Sequence, residues 1–277
     1  MRELIFLIVL VLFSITLRSQ DLFCKESSIK YADFLMASGQ YSLAVEEFER
    51  LIFLDSNEIE FKNRLLVACN KSKQYSRGIT AINTIYNSEI YRLPQEVSLN
   101  YLKLLYSMEN NQEIDNFLLK SESISTTDKI LFENCNLLLN INKQNFKPTI
   151  ATIKKEYDYF PDQFKTIFDN TKSIKFKNPA LAGGLSTIIP GAGKFYAGKK
   201  VDGIFSLIFV AGNAWQSYRG FKKKGISSAK GWIFGSISLG FYISNIYGSV
   251  KAVKKYNDLK SNFIKSDVQE FIQYYNN

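Results

Sequence analysis

The sequence predicts an all-α chain: a helical-repeat solenoid followed by a two-helix transmembrane hairpin with a preceding interfacial half-helix. Three observations carry this. Apolar residues from Lys25 to Thr171 recur at helical spacing, and the pattern repeats with a 34-residue period. Two apolar runs, Gly203 to Tyr218 and Gly231 to Val250, flank a basic connector from Arg219 to Lys230. Charge divides the chain at the same place. Fourteen Lys/Arg and a single acid, Asp202, lie between Lys172 and Tyr256, whereas all 277 residues together carry +9, so the remainder is net acidic. Cations beside apolar runs suit anionic lipid headgroups. Because they flank those runs and form no basic face of their own, no nucleic-acid partner is expected.

Composition narrows the chemistry. Histidine is absent, which removes the commonest general base and metal ligand. Cys24, Cys69 and Cys135 are too far apart for a local zinc or dithiol motif, and Cys69 and Cys135 fall in apolar helical patterns as small core residues. Gly193-Lys194 is followed by Phe195 instead of Ser/Thr, and Ile188 stands where a phosphate loop needs its first glycine. No catalytic, cofactor-binding or metal-binding residue is expected, and the chain is not read as an enzyme.

The elements follow in order. Residues 1–20 carry one arginine and an apolar run, Leu4 to Leu17, before Ser19-Gln20, the pattern of an export signal, cleaved or retained as an anchor. The repeat region, 25–171, is clearest at Gly39-Gln-Tyr41, Ala44, Phe48, which recurs 34 residues on as Lys73-Gln-Tyr75, Gly78, Ile82. A weak third unit lies at Asn110 to Leu119. A fourth is placed at Phe146, with Pro161 where a repeat ends. The period, with small residues where helices cross, resembles the tetratricopeptide repeat, although the signature tryptophan is absent. That resemblance implies stacked helix pairs whose concave face binds a protein partner.

Lys172 to Asn178 reads as a linker, and Pro179 suits the first turn of a new helix. Pro190, Gly191 and Gly193 end that helix too early for it to span. Lys194, Lys199 and Lys200 with Phe195 and Tyr196 suit a headgroup layer. In the second run Ser236, Gly240, Ser244 and Gly248 recur every four residues, and Gly231 and Gly235 form a further pair. Such a stripe admits a close neighbour: the first run through Ala211, Gly212 and Ala214, or a second copy in a homo-oligomer. Asn213 and Asn245 are expected to hydrogen-bond between helices or, less simply, to mark a polar path. Residues 257–277 read as an amphipathic tail after a hairpin domain of 178–256.

Pro190-Gly191-Ala-Gly193-Lys-Phe-Tyr196-Ala-Gly198, followed by Gly203, resembles a bacterial family of two-span hairpins, similar to a domain of unknown function found after repeats in Bacteroidota-type envelope proteins. Lys194 stands where that family favours Gln. The resemblance implies membrane embedding and no catalysis. The expected protein is therefore a helical-repeat adaptor at the bacterial inner membrane, its repeats periplasmic, recruiting a protein partner. The alternative is a small membrane component of a transport or secretion complex, docking through its hairpin.

Overall fold

Helix-forming periodicity with few internal breakers gives the expected class. The computed structural model describes residues 24–275, in thirteen α-helices with no strand among them. The export-signal reading of 1–20 lies outside those residues. The chain forms two compact units that divide inside one helix, one ending at Lys129 and one beginning at Ile130.

The first unit contains α1 (Lys25–Ala37), α2 (Tyr41–Leu54), α3 (Ile59–Lys71), α4 (Tyr75–Tyr86), α5 (Gln95–Ser107), α6 (Asn111–Lys120) and the start of α7 (Thr126–Leu139). The repeat is visible in its turns. Gly39, Lys73 and Glu109 all have left-handed φ, at 75°, 60° and 54°. The following amides donate five residues back in the same way: Gln40 to Leu35 O, Gln74 to Cys69 O and Asn110 to Leu105 O. This is the Schellman closure, and it recurs at the end of the first helix of each pair. The residues behind it keep step. Ala44 and Phe48, Gly78 and Ile82, Ile114 and Leu118 are all buried. At Gly78 a Cβ would lie 2.6 Å from Leu104 Cδ2 and 3.0 Å from Cys69 Cβ, so the small residue does mark a helix crossing. Tyr41 and Tyr75 open their helices half-buried. Cys69 is buried and its thiol is pushed up to about 12 by desolvation, the environment of a core residue.

The second unit contains the rest of α7, then α8 (Phe146–Lys154), α9 (Asp162–Lys172), α10 (Pro179–Ile188), α11 (Ala192–Tyr196), α12 (Lys200–Lys224) and α13 (Ala229–Tyr274). Phe146 opens α8 with Thr149 and Ile153 buried behind it, the spacing seen from Tyr41 and Tyr75. Pro161 caps the N-terminus of α9. Two expectations change here. The segment after Lys172 is not a free linker. Asn257 clamps Lys177, accepting from its N at 2.9 Å and donating to its O at 2.9 Å, and Phe176 meets Phe146 edge to face. Nor is the tail a separate helix: α13 is 46 residues long and carries Ile264, Val268, Phe271 and Ile272 onward as its buried face. Phe271 packs on Phe164 and Tyr275 on Phe132, so helices read as the end of the repeats share a core with the hairpin's continuation.

Candidate functional site

The hairpin of α12 and α13 is built inside out. On α12 the buried residues are Gly203, Val210, Ser217 and Gly220; on α13 they begin Gly231, Ser238, Asn245 and Ser249. Both sets step by seven residues with an intervening three or four, the spacing that keeps one seam in register between two helices. The seam is small and polar. Ser217 Oγ donates to Gly231 O at 2.7 Å and Ser238 Oγ donates to Val210 O at 3.0 Å, so serines tie the helices through their backbones. A Cβ on Gly220 would lie 2.6 Å from Gly231 N, which marks the closest crossing.

The large apolar side chains point away from this seam. Val201, Ile204, Phe205, Ile208 and Phe209 on α12, and Ile233, Ile237, Leu239, Phe241 and Ile243 on α13, are all exposed. Trp215 and Trp232 are 60% and 59% exposed in the halves of the helices that lead to the connector, and Lys222, Lys223 and Lys224 end α12 there.

The glycine motif positions three helices around one point. Asn178 caps α10 by accepting from Ala180 N, with Pro179 in the first turn as expected. Gly191 then has φ 93°, and a Cβ there would meet Gly203 O at 2.2 Å, so both glycines are needed for one backbone crossing. At Gly193 a Cβ would lie 2.0 Å from Ala182 O and 2.7 Å from Ser249 Cβ. Its N–H donates to Ser186 Oγ at 3.0 Å, and Ser186 and Ser249 hydroxyls meet at 2.7 Å. Ser249 donates onward to Asn245 O, which joins α10, α11 and α13 by one buried chain of hydrogen bonds. Gly198, at φ 86°, provides the turn into α12. Tyr196 Oη accepts from Asn178 N and its carbonyl accepts from Lys177 Nζ, so the motif tyrosine fixes the entry of α10.

The small-residue stripe falls elsewhere than expected. Gly231 and Gly235 do face α12, with Ser217 Oγ 2.9 Å from a Cβ built on Gly235. Ser236, Gly240 and Ser244 are exposed, Gly240 has nothing within 4 Å of its Cβ position, and Gly248 faces only the Lys194 stem. Ala211 and Gly212 are exposed as well. A strict four-residue step advances about 40° per repeat around a 3.6-residue helix, so it drifts off any straight seam. The asparagines also depart from expectation. Asn213 donates within its own helix to Phe209 O, and neither side-chain atom of Asn245 has a hydrogen-bond partner. Ser217, Ser238, Ser249 and Asn257 are the residues that sequence reasoning missed. For Ser217 and Ser238 the signal is the seven-residue recurrence through the two apolar runs; Ser249 and Asn257 fall off that step.

Among the described residues no helix is long and apolar enough to cross a membrane. The two apolar runs form a pair of packed helices, but Ser206, Asn213, Gln216 and Ser217 dilute the first run, and serines, glycines and Asn245 dilute the second.

The first unit has a concavity of about 450 Å³ where Asn83, Asn87 and Asn116 surround Tyr91, Tyr101 and Phe117. Tyr101 Oη donates to Asn83 Oδ1 at 3.0 Å, and burial pushes the phenol up to about 12. Comparison with known proteins places none beside this chain: no protein family, no curated protein and no solved structure matches it.

Proposed function

We propose that the protein is a helical-repeat adaptor held on a bacterial membrane by its hairpin, with the repeats recruiting a protein partner. The observation that carries this is the inverted burial of α12 and α13, small and polar inside, large and apolar outside. In water this arrangement wastes about 1.5–3 kcal/mol for each large side chain left unburied. In lipid it costs nothing, because helix association there depends on close packing and hydrogen bonds, which the seam supplies. A mean taken along the helix counts the seam residues too, which is why neither run is apolar enough on average. At 1.5 Å per residue, the 25 residues of α12 extend about 37 Å, against a hydrocarbon layer of about 30 Å. Tryptophans and lysines at the connector end suit an interface. An inner membrane with the repeats periplasmic and the connector cytoplasmic agrees with the basic connector, in line with the family resemblance read from the Pro190–Gly203 motif.

Liposome flotation of the full chain tests the reading. The protein is expected to float with vesicles of mixed zwitterionic and anionic lipid and to stay bound at 1 M salt, where the screening length falls to about 3 Å. Release by salt, or failure to float, would contradict it. For the repeats, the amide-lined concavity is the proposed partner surface, since exposed amides offer a donor and an acceptor to an extended chain.

The exposed Ser236, Gly240 and Ser244 favour a second reading, docking against a helix of a larger transport or secretion complex. Gly240→Leu with Ser244→Leu separates the two. The adaptor keeps flotation and partner recruitment, whereas the docking component loses assembly.

A further inference from the structure

Asn245 is the least comfortable residue in the hairpin. It is 3% exposed, and both its Nδ2 and its Oδ1 lack a partner. A buried amide left unpaired costs about 1–3 kcal/mol, and such a group in a folded protein asks for an explanation. It lies in the wall of a cleft of about 290 Å³ between α11, α12 and α13. Two charged side chains share that wall. Lys194 Nζ donates to Ser206 Oγ at 2.7 Å and has no ion-pair partner among the described residues. Asp202 is 3.7 Å from Lys199, a loose pair whose carboxylate is half exposed and free to exchange. The remaining wall is aromatic: Phe209 stacks on Phe241 with centroids 5.2 Å apart, and Phe205 adjoins Phe209.

We propose that this cleft binds a phosphoethanolamine group. Its lining carries one cation and one anion and sums to zero, which matches a ligand holding both signs apart and disfavours a purely anionic one. The phosphate accepts from Lys194 and from Asn245 Nδ2. The ammonium donates to Asp202 and to Asn245 Oδ1, which a quaternary ammonium has no N–H to do. The phenylalanine faces take the ammonium by cation–π attraction or an acyl stem by apolar contact. At about 30 Å³ per water-sized volume, the cleft holds on the order of ten non-hydrogen atoms, enough for this group. Lys194 moves off Ser206 to admit it, which opens the way to the Asn245 amide. The group comes either on a lipid or as the free phosphomonoester.

Native mass spectrometry of the full chain in mild detergent tests this, with short-chain phosphatidylethanolamine, phosphatidylcholine, phosphatidylglycerol and free O-phosphoethanolamine as probes. The ethanolamine lipid is expected to bind at least tenfold tighter than the choline and glycerol lipids. Asn245→Leu is expected to erase that preference while raising the melting temperature, since it removes the orphan amide. Lys194→Met, on a half-buried side chain, is expected to weaken ethanolamine-lipid binding tenfold without unfolding the chain. Equal binding of the three lipids by the unaltered protein would overturn the proposal, as would a preference that survives Asn245→Leu or ethanolamine-lipid binding that Lys194→Met leaves unchanged. Competition by the free compound at the lipid's concentration upholds the cleft and assigns the ligand to the aqueous phase; its failure to compete upholds the cleft and assigns the ligand to the bilayer. Binding of the free compound by a protein that does not float with vesicles would defeat the membrane reading alone.

Discussion

Gly193 shows how one missing Cβ holds three helices together. Adding it would put carbon 2.0 Å from the carbonyl oxygen of Ala182, a backbone atom with no freedom to give way. Gly193→Ala is therefore expected to be among the most disruptive single changes, costing several kcal/mol by thermal or chemical unfolding, in the range of overpacked cores. Gly240 is the control. Its Cβ position is open and helical, so Gly240→Ala is expected to gain about 0.5–1 kcal/mol through helix propensity. The sequence marked both as glycines of interest. Only the fold tells them apart, because the atoms that exclude a Cβ at 193 come from residues up to 56 positions away in the chain. Lys103 was not legible at all. It is 2% exposed, and desolvation lowers its ammonium to about 8. For a lysine whose folded value lies below the unfolded 10.5, the unfolded chain binds the extra proton between those values. Stability is thus expected to rise as pH climbs from about 8 to 10.5, and Lys103→Met is expected to flatten that slope.

Among elements, the 34-residue step was the most readable feature. The match of Gly39-Gln-Tyr41 with Lys73-Gln-Tyr75 falls on a left-handed closure that the pattern itself did not announce, and Lys73 occupies it at φ 60°. A lysine there is strained where glycine is not, so Lys73→Gly is expected to raise unfolding free energy by about 1 kcal/mol. The third closure, at Glu109, comes 36 residues after Lys73 instead of 34, so the third unit is out of step with a fixed period. Within the hairpin, the four-residue stripe drew attention to Gly240 and Ser244, while the pairing belongs to residues seven apart. Ser217→Ala and Ser238→Ala each remove one interhelical hydrogen bond, and each is expected to cost about 0.5–1.5 kcal/mol.

For the molecule as a whole, the all-helical class was legible because periodicity and breakers are local properties of sequence. The grouping of helices was not. Residues 130–172 looked like the end of the repeats, yet they share a compact unit with the hairpin through the far end of α13, a contact between segments about a hundred residues apart. The central claim is that the hairpin's outer apolar surface meets lipid. The chain's two tryptophans, Trp215 and Trp232, both lie in the hairpin and both are more than half exposed, so selectively excited tryptophan emission reports on that region. The most direct measurement is therefore tryptophan emission of the full chain in liposomes, with and without lipids brominated along the acyl chain. The account predicts blue-shifted emission that brominated lipid quenches and aqueous iodide does not. Emission at the wavelength of water-exposed indole, quenched by iodide and indifferent to brominated lipid, would contradict it.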